Sequence, residues 1–492
     1  MTEGLGRRAA RGAASTGAGL VTRIALQLVT IVVLARLLTP EDYGIIAVVV
    51  AVTGVGELLR DFGLSSAAIQ APELSARQRS NLFWSNTGIG LVLGLVTLSA
   101  AVPIALLVHR PDQPETVAVL VPVVQALSVT FLLNAMTTQH RASLLRAMRF
   151  SVVAVIDVLA PAAALVVAVV LAATGATYWA LVAQQVTQAA VALLAVVIAG
   201  RWLPSLVWHR GEPMRGFFRF GGNLLASQLI GYVANNIGTF LIGRRLGTEA
   251  AGLYNRAWQT VMTPLSQIRP PSTTVALPVL SRAGLTPQFD RIVRAGQLVL
   301  GYPVALGLAV VIGTAYPLVE VLLGPRWSGV PPIMRLLAIA GALQTMAYVG
   351  YWVYLSRGLT RQLMHYTLVT SIIKIGCVLV GSVWGATGVA AGYAVAAALE
   401  WPLSLWWLSR ITPLPTRALY LGAGRILSVA TATGLASGFA ADAVAAPWPA
   451  LGVGVAAGVA VATTATLVPA VRRDLRELTR ALRTALSRRG AR

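Results

Sequence analysis

Long apolar runs recur along the whole chain, separated by short segments carrying arginine, proline and glycine. Read as helices crossing ~30 Å of hydrocarbon, they predict fourteen spans. These lie at about residues 14–38, 41–60, 80–108, 117–139, 149–173, 177–200, 217–243, 249–280, 290–323, 329–356, 362–383, 387–409, 419–438 and 449–470. The first run follows Arg7, Arg8 and Arg11 but continues to about Leu38 with no small-residue cleavage site, so it reads as an uncleaved span. Between the first two spans, Arg36 to Gly44 (RLLTPEDYG) ends one helix and starts the next. Thr39 is placed to cap the new helix, Pro40 suits its first turn, and Glu41 and Asp42 complement its N-terminal dipole.

A fainter copy of this hairpin lies 208 residues further on, where Arg36, Leu38, Glu41 and Gly44 match Arg244, Leu246, Glu249 and Gly252. Both copies sit between the first two spans of a six-span block. Because six is even, the two blocks enter the membrane in the same direction. The expected architecture is an all-α polytopic membrane protein with two six-helix lobes, related by a pseudo-two-fold axis along the membrane normal and separated by a cleft. The N-lobe is expected at residues 1–200, an inter-lobe loop at 201–216 and the C-lobe at 217–410. Spans thirteen and fourteen fall within 411–470, and a basic tail occupies 471–492.

Composition agrees with this class: of 492 residues, 56% are hydrophobic and only 11% charged, too few for the surface of a soluble protein of that size. The net charge of +22 reads first as a topology signal. With the N-terminus inside, 28 of the 39 basic residues fall in inner loops and tails and 5 in outer turns, which puts both termini in the cytoplasm. The run from Arg472 to Arg492 is expected to be an amphipathic tail facing anionic lipid rather than nucleic acid. Cys377 is the sole cysteine, which excludes an intramolecular disulfide and a cysteine-based metal site. Lys374 is the sole lysine and lies in SIIKIG, so no phosphate-binding P-loop is possible. Four scattered histidines and no clustered carboxylates offer neither a metal site nor a hydrolytic constellation. The chemistry is that of a transporter without a cofactor rather than of an enzyme.

Away from the extreme ends of the spans, six basic residues fall inside them: Arg23, Arg256, Arg269, Arg335, Lys374 and Arg425. A charge at the bilayer centre costs ~2.5–3.5 kcal/mol on insertion scales, so each needs a partner, a wet cavity or a route to the interface. Arg335 and Arg425 lie near span ends and are placed to snorkel, whereas Arg23, Arg269 and Lys374 lie deeper. Gly19, Arg23, Gln27 and Thr30 share one face of span one, and the repeat offset puts Gln27 on Asn235, within a stripe of Gln228, Tyr232, Asn235 and Thr239. Span eight adds Arg256, Thr260, Thr263 and Gln267, then Arg269-Pro270-Pro271, where the prolines are expected to break or bend the helix. The uncharged residues read as interhelical hydrogen bonding. Arg23, Arg256 and Lys374 read as cavity lining, with pairing to Glu57, Asp157 or Glu400 as the other reading. Glu57 and Arg60 are spaced for a local salt bridge, and Asp157 precedes Pro161 by one turn, suited either to steady that bend or to carry a proton.

The strings LARLLTPEDYG (34–44), DFGLSSAAIQ (61–70) and NLFWSNTGIG (81–90) resemble the polysaccharide flippases of the multidrug/oligosaccharidyl-lipid/polysaccharide (MOP) superfamily, nearest the Wzx-type lipopolysaccharide-biosynthesis branch. The resemblance implies a two-lobed bundle like that of the multidrug and toxin extrusion (MATE) exporters. It also implies movement of a polyprenyl-diphosphate-linked oligosaccharide from the cytoplasmic to the outer leaflet of a bacterial cell membrane. Its implied partners are that lipid-linked oligosaccharide and the polymerase and glycosyltransferase machinery of polysaccharide assembly. A diphosphate bearing a sugar needs fixed cations and hydrogen-bonding side chains. The candidate substrate-binding residues are therefore Arg23, Gln27, Asn235, Arg256, Arg269 and Lys374. A MATE-like cation antiporter would want a carboxylate in span one, where this chain has Arg23. A peptidoglycan-precursor flippase is compatible with fourteen spans, but the opening motifs are nearer the polysaccharide branch. A non-transporting membrane scaffold would explain the arginine tail but not buried cations on several spans.

Overall fold

A computed structural model describes residues 21–71, 73–108, 115–283 and 286–477. Arg7, Arg8, Arg11, Gly19 and the end of the basic tail lie outside the described residues. Those residues contain no strand, and the chain packs as two compact units, Met1–Asn255 and Arg256–Arg492. In the first, residues 21–37 are helical (α1), followed by Pro40–Asp61 (α2), Leu64–Gln70 (α3), Ala76–Ser99 (α4), Ala101–Val108 (α5), Glu115–Arg146 (α6), Phe150–Ala173 (α7), Tyr178–Gly200 (α8) and Arg215–Leu246 (α9). Helix α10, Thr248–Ala283, begins in this unit. The second unit continues with Pro287–Gly313 (α11), Ala315–Leu322 (α12), Val330–Ser356 (α13), Thr360–Gly381 (α14), Gly385–Ile411 (α15), Thr416–Asp442 (α16), Pro447–Thr464 (α17) and residues 469–477 (α18). The partition thus falls inside α10, whereas the repeat expected from the sequence would divide the chain at loop 201–216.

Among the described residues, 10 stretches are long and apolar enough to cross a membrane, and one of them, Thr360–Ile411, contains both α14 and α15. The protein is multi-pass. Helices α9 and α10, of 32 and 36 residues, have the length to cross but are more polar than the ten, because they carry the amide, hydroxyl and arginine positions noted above.

The turn into α2 is built from its own sequence. Asp42 N–H donates to Thr39 Oγ1 at 3.3 Å, and Thr39 N–H donates to the Asp42 carboxylate at 2.8 Å, a reciprocal capping box. At the other end of α2 the chain reverses through Phe62 and Gly63, both left-handed at φ 46° and 65°. Asp61 then accepts from the Ser65 hydroxyl, and Asn86 Nδ2 donates to the carbonyls of Arg60 and Asp61 at 3.0 and 3.2 Å. Asn81 pairs with the backbone of His209 in both directions at 2.8 and 3.0 Å, and Trp84 Nε1 donates to Ser205 O at 2.7 Å. The strings 61–70 and 81–90 are therefore scaffold: they close the α2–α3 turn and strap the connection between α8 and α9 onto α4.

Some of these expectations need correction. The runs 80–108 and 290–323 are not single helices but break at Ala100 and Thr314. Pro103 and Pro317 stand three residues beyond each break, and each lacks the N–H that would bond the carbonyl four residues back. Of the break or bend expected at Pro270-Pro271, the break does not occur: α10 runs on as helix through residues 270 and 271. At the start of the tail Arg472, Arg473 and Arg476 are exposed while Asp474 is buried, an amphipathic pattern. Asp474, 3% exposed, accepts two bonds from Arg425 at 2.8 Å and one from Tyr302 Oη at 3.1 Å, so α18 docks on α11 and α16. Arg425 is thus paired rather than snorkelling.

Candidate functional site

In the first unit, Arg23 and Gln27 lie half-buried on α1, and Thr30 turns its hydroxyl back to Leu26 O at 2.8 Å. The expected stripe on α9 divides into two kinds of position. Tyr232 Oη reaches across to α2 and donates to Val50 O at 2.9 Å, and Thr239 is buried at 7%. Gln228 and Asn235 remain exposed. Asn235 is therefore not covered by its own unit, while Tyr232 is a clamp between helices.

The second unit gathers Arg269 and Lys374 into one polar network inside its helices. Arg269 Nη2 donates to Gln344 Oε1 at 3.0 Å, and Gln344 Nε2 donates to Tyr393 Oη at 3.0 Å. Lys374 Nζ lies 5.2 Å from the centre of the same Tyr393 ring and 3.3 Å from Glu400 Oε1. That oxygen accepts no aligned hydrogen bond, so the contact is ionic rather than a formed hydrogen bond. Lys374 and Glu400 are 14% and 11% exposed, which settles the pairing question in favour of Glu400 and removes the lone-cation argument for Lys374. Arg269 differs: its Nε is buried without an acceptor, and its guanidinium lies 5.6 Å from the Tyr348 ring. Two cations and one carboxylate leave the cluster with an excess positive charge.

Arg256 is not part of this cluster. It is 1% exposed, reaches Gln259 Oε1 at 3.4 Å and lies 5.3 Å from the buried Trp327 ring. In this conformation it is enclosed rather than presented to solvent. The other intramembrane charges are structural as well. Arg335 Nε donates to Ile312 O at 2.9 Å, Arg141 grips Asp157 with two bonds at 2.6 and 2.8 Å, and Glu57 pairs with Arg60 at 2.8 Å. Asp157 therefore steadies a helix pair, and Glu57–Arg60 is the local bridge its spacing predicted. Gln344 and Tyr393 go unnoticed in the sequence, although the i+4 and i+7 spacing of Gln344, Tyr348 and Tyr351 and the i+7 spacing of Tyr393 and Glu400 put each on a polar face of its helix.

The chain is 26% identical over 394 residues to the lipopolysaccharide biosynthesis protein WzxC of Escherichia coli (strain K12), covering 78% of this chain and 77% of that protein. It is 26% identical over 426 residues to the teichuronic acid biosynthesis protein TuaB of Bacillus subtilis (strain 168), covering 83% and 84%. Among solved structures, the lipid II flippase MurJ in an inward closed conformation superposes with a TM-score of 0.73 at 12% identity, covering 94% of this chain and 99% of that one, and so shares its fold. A family model described as polysaccharide biosynthesis protein matches residues 33–332. Spanning the first hairpin, the strapped connection and the start of the second unit's core, that match makes the chain a member of the polysaccharide biosynthesis protein family.

Proposed function

We propose that this protein is a flippase that moves a polyprenyl-diphosphate-linked oligosaccharide from the inner to the outer leaflet of the cell membrane, for cell-surface polysaccharide biosynthesis. The observation that carries this reading is the family match over residues 33–332 in a chain that shares its fold with a lipid II flippase. The charge pattern supports an anionic cargo: residues 21–37 hold Arg23 and no carboxylate, and the polar cluster of the second unit has excess positive charge. A peptidoglycan precursor is the weaker choice of cargo, because the sequence relatives WzxC and TuaB are named for lipopolysaccharide and teichuronic acid biosynthesis.

Arg269 is the residue we assign first to the diphosphate, since guanidinium suits bidentate phosphate contact and its buried Nε has no protein acceptor. Within the first unit, Arg23, Gln27 and Asn235 are assigned to the cargo on the charge of the one and the amides of the others. Arg256 and Lys374 contribute positive potential from behind their own partners. Both termini lie in the cytoplasm on this reading, and the polymerase and glycosyltransferases that build the glycan are its working partners. The test is translocation of a fluorescent lipid-linked oligosaccharide in proteoliposomes of the purified protein. Accelerated loss of the probe from one leaflet is expected; no acceleration, alongside efflux of an organic cation, would overturn the assignment.

A further inference from the structure

A cavity of about 370 Å³ lies within the first unit, walled by the second half of α2 and the middle of α6 and α8. That volume falls in the ~300–1,000 Å³ range of small-molecule sites. Its polar lining comes from Thr53, Glu57, Thr130, Asn134, Gln185 and Gln188, and the Phe131 ring forms part of its apolar wall. All three helices are candidate membrane spans, so this is polar surface at a depth where amides and carboxylates are costly unless hydrated or bound.

The charge in the cavity is already compensated. Glu57 accepts from Arg60 Nε at 2.8 Å through Oε2 and from Asn134 Nδ2 at 3.2 Å through Oε1. Arg60 also donates to Thr138 at 2.6 Å, which fixes the guanidinium in place. The rest of the lining is neutral. The Thr53 and Thr130 hydroxyls donate to Val49 O and Leu127 O at 2.9 and 2.6 Å and keep their lone pairs as acceptors. Gln185 and Gln188, one helical turn apart on α8, line the cavity with amides that make no hydrogen bond to another described residue. A site for a free cation would leave a carboxylate uncompensated, and a site for an anion would leave an arginine so. This one offers neutral donors and acceptors around a ring face, the complement of a polyhydroxylated ring with an apolar C–H side.

We propose that this cavity is a saccharide subsite, taking a neutral sugar of the carried glycan, with the Gln185 and Gln188 amides as its principal hydrogen-bonding groups. The proposal rests on the flippase reading above and adds where the sugar, as distinct from the diphosphate, is recognised. A pyranose there would exchange hydroxyl–water bonds for amide and carboxylate bonds, and would cover two amides that make no hydrogen bond to another described residue.

The experiment compares two carriers in proteoliposomes of the full-length protein: a fluorescent polyprenyl-diphosphate oligosaccharide and the same fluorescent polyprenyl diphosphate without sugar. Gln185→Ala, Gln188→Ala and the double variant are measured beside wild type. A subsite predicts that the double variant moves the glycosylated carrier at least ~tenfold more slowly and the sugar-free carrier at the wild-type rate, which also certifies the fold. Equal rates for both carriers in wild type and variants overturn the subsite and leave the flippase reading standing. A parallel loss for both carriers, or a changed dependence on a sodium or proton gradient, assigns the cavity to coupling and overturns the subsite likewise. Failure of the wild type to move either carrier overturns both readings.

Discussion

Gly44 and Gly252 meet the partner hairpin reciprocally. A Cβ placed on Gly44 would lie 1.6 Å from the carbonyl oxygen of Thr248, and one on Gly252 would lie 1.8 Å from that of Pro40. Both the glycines and their contact partners are separated by the repeat offset of 208, so the two contacts are the same contact made twice. A local two-fold between the starts of α2 and α10 produces such a pattern, and only glycine lets the two backbones approach so closely. The faint match between RLLTPEDYG and RRLGTEAAG is thereby explained: the glycine is present in both copies because each copy is the other's neighbour.

Substituting either glycine is therefore expected to push the hairpins apart. Gly44→Ala and Gly252→Ala should each cost about 1–3 kcal/mol by overpacking against backbone, read as a lower melting temperature. In a Cys377→Ser background, Thr248→Cys should become more reactive toward a membrane-impermeant thiol reagent when Gly44→Ala is added. Unchanged stability and reactivity would show that the contact is dispensable.

The arginines are expected to separate by environment. Arg269→Ala should abolish transport with near-normal yield, and Arg269→Lys should recover little, because a point charge cannot replace a planar fork. Arg23→Ala is expected to reduce transport in the same way. Arg256→Ala should instead lower stability, since a side chain 1% exposed leaves a void beside Trp327 when truncated. Transport rate normalised to folded protein, measured beside melting temperature, distinguishes the two outcomes.

The buried pair Lys374–Glu400 should behave as a unit. Lys374→Ala strands the Glu400 carboxylate and is expected to destabilise the second unit by ~3–5 kcal/mol, whereas Lys374→Met with Glu400→Leu should be far milder. Thermal unfolding of the singles and the double gives the coupling directly. Additive losses would mean that the 3.3 Å contact carries no energy.

Docking of the tail depends on Asp474. Asp474→Ala removes both acceptors of Arg425 and the partner of Tyr302, at roughly 1–3 kcal/mol for hydrogen bonds to a charged group. Limited trypsin digestion should then cut faster at Arg472, Arg473 and Arg476. Cleavage at the wild-type rate would show that α18 is held by its apolar contacts, Val471 and Leu475, alone.

Topology follows from the arginine distribution. Reporter fusions at residue 208, within the connection between α8 and α9, and at both termini are expected to report the cytoplasm. A periplasmic signal at that connection would invert the arrangement and the repeat argument with it.

Much of the protein was legible in its linear order, because the determining interactions are local. Hydropathy set the helices, Thr39 and Asp42 closed their capping box three residues apart, and Glu57 found Arg60 one turn away. The breaks at Ala100 and Thr314 escape the sequence reading, although Pro103 and Pro317 mark them, because the apolar runs continue across them and hide the interruption. The partners of charges that pair between helices were not fixed by the sequence, in which Glu400 is only one of three carboxylates open to the buried cations. Lys374 meets Glu400, Arg425 meets Asp474 and Arg269 joins Tyr393 through Gln344 because separate helices cross at those depths. A periodic stripe fixes which face of one helix is polar, but its partner depends on the rotation and crossing point of another helix. Those are decided by how small and large side chains interlock across the whole unit, and so by the tertiary structure alone.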